Sequence, residues 1–167
     1  MPVDAKDDIF LKIDGGRQGP IKGNSKDKVH AGEIDVTGWT WGMEGNLDAH
    51  AGRSSRTTVH TMEVVKRADA ATPALMSALY NNEPITKAVL TVRKAGGPQA
   101  LEYLKVTMEK GRIVSYRAGA GESPEGPTTV ETIRIAFQKI RVEHQDQDKG
   151  GGSRGTSTAE IEVTPGS

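Results

Sequence analysis

The chain has 167 residues, room for one domain or two very small ones, and 35% of them are apolar, enough for one core. Its 22 Lys and Arg balance 22 Asp and Glu, so it lacks the basic excess from which nucleic-acid binders draw most of their affinity. There is no Cys, hence neither a disulfide framework nor thiolate chemistry.

Most segments alternate at period two. Ile9, Leu11 and Ile13 predict a first strand that stops at Asp14-Gly15-Gly16, followed by a polar loop over about 14–31. A second strand runs from about Glu33, with Ile34 and Val36 and then Trp39 and Trp41. The apolar register slips by one near Thr37-Gly38, which a bulge at the glycine would absorb. A second polar loop is expected over about 44–56, including Leu47 to Arg56, which has no period of its own. Val59, Met62, Val64 and Val65 mark a third strand. Thr72 to Tyr80 reads as a two-turn helix, with Thr72 as N-cap, Pro73 at the first helical position and Asn81-Asn82 as its end. Ala88 to Arg93 and Leu101 to Met108 form a hairpin across Ala95-Gly96-Gly97-Pro98-Gln99, extended by Ile113, Val114 and Tyr116. A third loop is expected over about 117–129. Ile133, Ile135 and Phe137, then Ile140 and Val142, slip by one at Gln138-Lys139. A flexible Gly-rich segment over about 146–157 precedes a last short strand, Ala159 to Val163. Two slips in strand centres indicate strongly bent strands. The expected fold is mainly β: a compact β-barrel of bent antiparallel strands with one short α-helix on its side, a single domain over 1–167.

No candidate for chemistry keeps its structural context. Gly150-Gly151-Gly152-Ser153-Arg154-Gly155 fits a dinucleotide fingerprint, but a β-like segment follows where a helix is needed. Asp146-Gln147-Asp148 opens like a calcium loop, yet Gly150 and Ser157 stand at the fifth and twelfth positions. His30, His50, His60 and His144 show no metal-ligand spacing, and no Ser lies in a nucleophile elbow. The reading is therefore not an enzyme, with no cofactor and no metal. Two Trp, three Tyr and two Phe are too few for a base-stacking surface, so no nucleic acid is expected. No apolar stretch approaches the ~18 residues of a membrane span, so no membrane insertion is expected. The opening Met1-Pro2-Val3-Asp4-Ala5-Lys6-Asp7-Asp8 lacks the apolar run of a signal peptide. Folding in a reducing cytoplasm follows, with any export by another route.

The most pointed feature is Trp39-Thr40-Trp41, where residues two apart on a strand share a face. Such a pair is core, or the buried anchor of a subunit interface. The alternative is a monomeric β-barrel that binds a small ligand or carbohydrate through Trp39 and Trp41. Zero net charge removes the long-range repulsion between copies and so permits self-association.

Asp8-Ile9-Phe10-Leu11-Lys12-Ile13-Asp14-Gly15, then Gly32-Glu33-Ile34 through Trp39-Thr40-Trp41-Gly42, and Ala88 through Gly97 in order resemble the haemolysin-coregulated (Hcp) proteins. Val65-Lys66 with Asp69, Ala71, Thr72-Pro73 and Leu75, Leu101 through Val106, Glu131-Thr132 and Ile135 through Glu143 extend the likeness over about 8–152. The resemblance implies a barrel with a side helix that forms a homohexameric ring. Rings stack into the hollow inner tube of a type VI secretion system, inside a contractile sheath and behind a spike protein, and carry effector proteins in the lumen. It also implies assembly in the bacterial cytoplasm and secretion without a cleaved signal peptide. On that reading Trp39 and Trp41 fix the barrel or a subunit contact. Leu47, Asp48, His50, Arg53 and Arg56 belong to an arm reaching a neighbouring subunit or ring.

Overall fold

A computed structural model describes residues 7–45, 57–96, 99–147 and 153–163. The chain runs β1 (Asp8–Gly15), β2 (Gly19–Ile21), β3 (Ile34–Thr40), β4 (Met43–Glu44), β5 (Thr58–Val59), β6 (Met62–Arg67), α1 (Thr72–Tyr80), β7 (Ile85–Arg93), β8 (Glu102–Ser123), β9 (Gly126–Ala136), β10 (Lys139–Gln147) and β11 (Ser153–Glu162). All strand pairs are antiparallel, and β7-β1-β3-β6-β9-β8 closes on itself through the β8–β9 and β7–β8 ladders. This ring of hydrogen bonds is the barrel. The β10–β11 hairpin continues the sheet outward from the first half of β8.

Alternation explains the closure. Leu11, Ile13, Leu90, Val106, Met108, Ile133 and Ile135 all point inward and are buried, while Lys12, Lys105 and Arg134 on the opposite pleats are exposed. Each apolar side chain so placed contributes about 1.5–3 kcal/mol by leaving water. Leu75 and Ala78 of α1 are buried in the same core.

Both expected slips are real. Between β3 and β6 the register shifts between Val36 and Gly38, and Thr37 turns its Oγ1 to the Val65 carbonyl at 3.1 Å. The second slip is sharper than a bulge, since the strand breaks at 137–138 into β9 and β10. Both halves keep β8 as partner, in one register across the break (Ala136 opposite Arg112, Lys139 opposite Glu109). Opposite the break, Lys110 adopts φ 53°, and Gln138 N donates to the Glu109 and Lys110 carbonyls. A Cβ at Gly111 would lie 2.6 Å from the Ala136 carbonyl oxygen, so only glycine lets the two strands approach there.

Several expectations need correction. The expected polar loop over 117–129 is strand: β8 and β9 pair up to Ser123 opposite Gly126, leaving a tight turn. Small residues and Pro favour a loop, but here the β8–β9 ladder carries them on in register as strand. The 14–31 loop contains β2, paired back onto β1. β10 and β11 reach into the segment 146–157, whose residues 148–152 lie outside the described ones. Thr72 is not the N-cap; Ala71 holds that position and has no polar side chain to cap with, while the Thr72 hydroxyl accepts from Asp69 N at 3.0 Å and donates to Glu131 at 2.9 Å. The helix does end at Asn81-Asn82 as expected, with Asn82 in the left-handed conformation at φ 50°.

Candidate assembly interface

Trp39 and Trp41 are both half-buried against the core. Trp41 lies just past β3, where its indole Nε1–H donates to the His60 carbonyl at 2.8 Å and its ring tilts against Phe137 at 6.4 Å. Phe137 sits at the break between β9 and β10, so Trp41 joins that corner to β4–β5. A sugar platform needs open ring faces, and this arrangement closes them in part. Met43 opposite Val59 and Glu44 opposite Thr58, with His60 N donating to the Gly42 carbonyl at 3.1 Å, make a short stem. Residues 46–56 leave and return at this stem. Leu47, Asp48, His50, Arg53 and Arg56 therefore lie outside the described residues, and Trp41 braces the base of their segment.

Three buried polar locks hold the non-strand segments on the barrel. In the first, Lys66 and Glu131 face each other on β6 and β9, fully buried and ion-paired. Lys66 Nζ also reaches Asp69 Oδ1 at 2.8 Å, and Glu131 accepts from the Thr72 and Tyr116 hydroxyls. Burial opposes ionisation of Glu131, but the donors Lys66, Tyr116 and Thr72 hold its pKa below the usual carboxylate value. Burial, then Glu131, push the Tyr116 phenol up to about 12. The lock ties the start of α1 to three strands. In the second, Glu83 accepts from the backbone N–H groups of Arg17 and Gln18, joining the β1–β2 turn to the end of α1.

The third pins the segment before β3. Arg93 binds both oxygens of Asp27, at 3.0 and 2.7 Å, and reaches Asp8 at 3.0 Å while lying 4.9 Å over the Phe10 ring. His30 stacks on the other part of this cluster, 4.4 Å from Phe10, with Nδ1 2.9 Å from Glu33 and Nε2 2.7 Å from Glu102. Carboxylates only accept, so the two contacts favour the charged ring, in which both nitrogens donate. Burial works against that charge, but the Glu102 and Glu33 hydrogen bonds outweigh it and raise the His30 pKa above its ordinary value. A raised folded-state pKa gives stability that is complete below the unfolded value of about 6.5 and lost as pH rises through the folded value. The thermal midpoint should therefore fall as pH is raised from about 6.5 upward, and His30→Gln should flatten that fall. Melting curves across the pH series check this; parallel profiles for the two proteins would contradict it.

Strand edge and apolar side chain are exposed as well. Among the described residues β11 has no partner on its outer side. β6 pairs with β9 only over Val130 to Ile135, so β8 and β9 continue beyond the barrel as a two-stranded ribbon. On α1, Tyr80 is 89% and Met76 47% exposed, lining with Leu79 and Tyr116 a groove of about 450 Å³. Among the described residues no group of His, Asp and Glu could hold a metal ion, and no helix is long and apolar enough to cross a membrane.

The described residues thus form a closed β-barrel with a short stem and a projecting ribbon, its buried charges engaged in holding loops. Comparison with known proteins identifies the family. The profile of the family described as "Type VI secretion system effector, Hcp" matches residues 10–144. The protein hcp1 of Pseudomonas aeruginosa is 36% identical over 151 residues, covering 89% of each chain. The crystal structure of Hcp1 from Salmonella typhimurium superposes with a TM-score of 0.73 at 30% identity, over 94% of this chain and 95% of that one. That of a type VI secretion system effector from Yersinia pestis gives 0.69 at 28% identity, over 93% and 99%. The chain belongs to the Hcp family of type VI secretion proteins, the family that the sequence resemblance indicated.

Proposed function

We propose that this chain is the structural subunit of a type VI secretion inner tube. Six copies close into a ring, and rings stack into a hollow tube within the contractile sheath and behind the spike. The tube assembles in the cytoplasm and is exported with effector proteins in its lumen, without a cleaved signal peptide. The chain acts as one barrel domain throughout, and residues 47–56, carrying Leu47, Asp48, His50, Arg53 and Arg56, form the arm that meets a neighbouring subunit or ring.

The observation that carries this reading is the pairing of a closed barrel with unpaired strand elements, in a chain that matches the Hcp family over the barrel itself. A closed ring needs one patch to meet a different patch, and an isolated ribbon or open edge is the kind of element that a second chain completes. Negative-stain micrographs of the purified protein should show annular particles with an open centre; solid, single-chain particles would overturn the reading.

A further inference from the structure

The outer face of β6, β9 and β8 carries a shallow groove of about 320 Å³ lined by Glu63, Val65, Ser115, Arg117, Thr132 and Arg134. Arg134 spans 3.3 Å to Glu63, while Arg117 is exposed with no ion-pair partner among the described residues. The balance on this face is basic in a chain whose net charge is zero, so negative charge is concentrated elsewhere.

Part of it sits at the tip of the β8–β9 ribbon. Beyond Arg117 the only charged residues before Glu131 are Glu122 and Glu125, both exposed and neither in an ion pair among the described residues. The ribbon is uncovered as well: Arg117, Ala118, Gly119 and Ala120 are exposed in succession, although alternate residues point to opposite faces. Two strands alone are at best marginally stable in water, so such a ribbon calls for a covering surface. Its own groove is out of reach. The tip lies about 20 Å further along the same extended strands, at some 3.3 Å per residue.

We infer that the acidic tip of one copy's β8–β9 ribbon docks in the arginine-lined groove of the next copy. This inference rests on the ring reading above. A tip and a groove on each copy form a heterologous contact, which repeats around a closed ring with every tip and every groove used once. The opposite charges set the direction and register of approach.

Charge reversal tests it, using the full chain. One variant, Glu122→Arg with Glu125→Arg, places a basic tip against a basic groove. The other, Arg117→Glu with Arg134→Glu, places an acidic tip against an acidic groove. Each alone should assemble at least about 10-fold more weakly than the parent in sedimentation, with an unchanged circular dichroism spectrum. Mixed in equal amounts they should regain rings, and native mass spectrometry should find three of each, because alternating copies restore every pair. The milder Glu122→Gln with Glu125→Gln should weaken assembly in the same direction, and it keeps the test alive if a reversed variant misfolds. Parent-like rings from both reversed variants, or no rescue on mixing, would overturn this contact while leaving the ring intact; an acidic cargo segment would then be the better occupant of the groove. A parent chain that stays single would overturn the ring reading itself.

Discussion

Replacing Lys66 with Met is expected to destabilise the fold by about 3–5 kcal/mol, the largest effect of any single polar substitution described for this chain. The reason is the asymmetry of buried ion pairs. Lys66 is fully buried, and its amine is the cation for both Glu131 and Asp69. Glu131 is itself fully buried, so removing the amine leaves a carboxylate with hydroxyl donors but no counter-charge. Removing both members is a different case. Lys66→Met with Glu131→Leu exchanges the pair for apolar volume beside Val64 and Ile133, and should cost at least about 1 kcal/mol less than the two single substitutions added together. Urea unfolding of the two singles and the double gives the cycle. A Lys66→Met midpoint equal to that of the parent would contradict the lock.

The second large effect concerns assembly rather than stability. Removing residues 47–56 and joining Asn46 to Thr57 by a short turn should leave the barrel folded while weakening ring and tube formation about 10-fold or more. The stem explains the first half of that expectation. β4 and β5 pair over only two residues each, apart from the main sheet, and Trp41 and Phe137 brace the base without using the removed residues. Closing a shorter loop costs little entropy. The second half rests on the arm reading, in which Leu47, Asp48, His50, Arg53 and Arg56 reach a neighbour. Circular dichroism and sedimentation on one preparation separate the two halves, and undiminished assembly would remove the arm from the account.

The barrel was legible because period-two alternation survives in nearly every strand, and because slips such as that at Thr37-Gly38 are marks that only bent strands leave. The helix was legible from Pro73 and its two apolar turns, but the role of Thr72 was not: a hydroxyl that caps and one that reaches across to Glu131 look alike in sequence. Lys66 and Glu131 did leave a trace. They continue the inward series Met62, Val64 and Ile133, Ile135, so a charge stands on an apolar pleat of each strand. That each is the other's cross-strand partner depends on the β6–β9 register, which no local pattern encodes. The Arg93 and His30 cluster is harder still, since Asp8, Asp27, Glu33 and Glu102 come from distant stretches. The ribbon was missed for a local reason. Ala118-Gly119-Ala120-Gly121 followed by Pro124 carries every sign of a loop, and only the long β8–β9 ladder makes it strand.

The native mass of the intact chain in solution tests the central claim most directly. Sedimentation at tens of micromolar should give one discrete species of six chains, with larger multiples of that ring as concentration rises. A single species with the mass of one chain across that range would contradict the tube-subunit account.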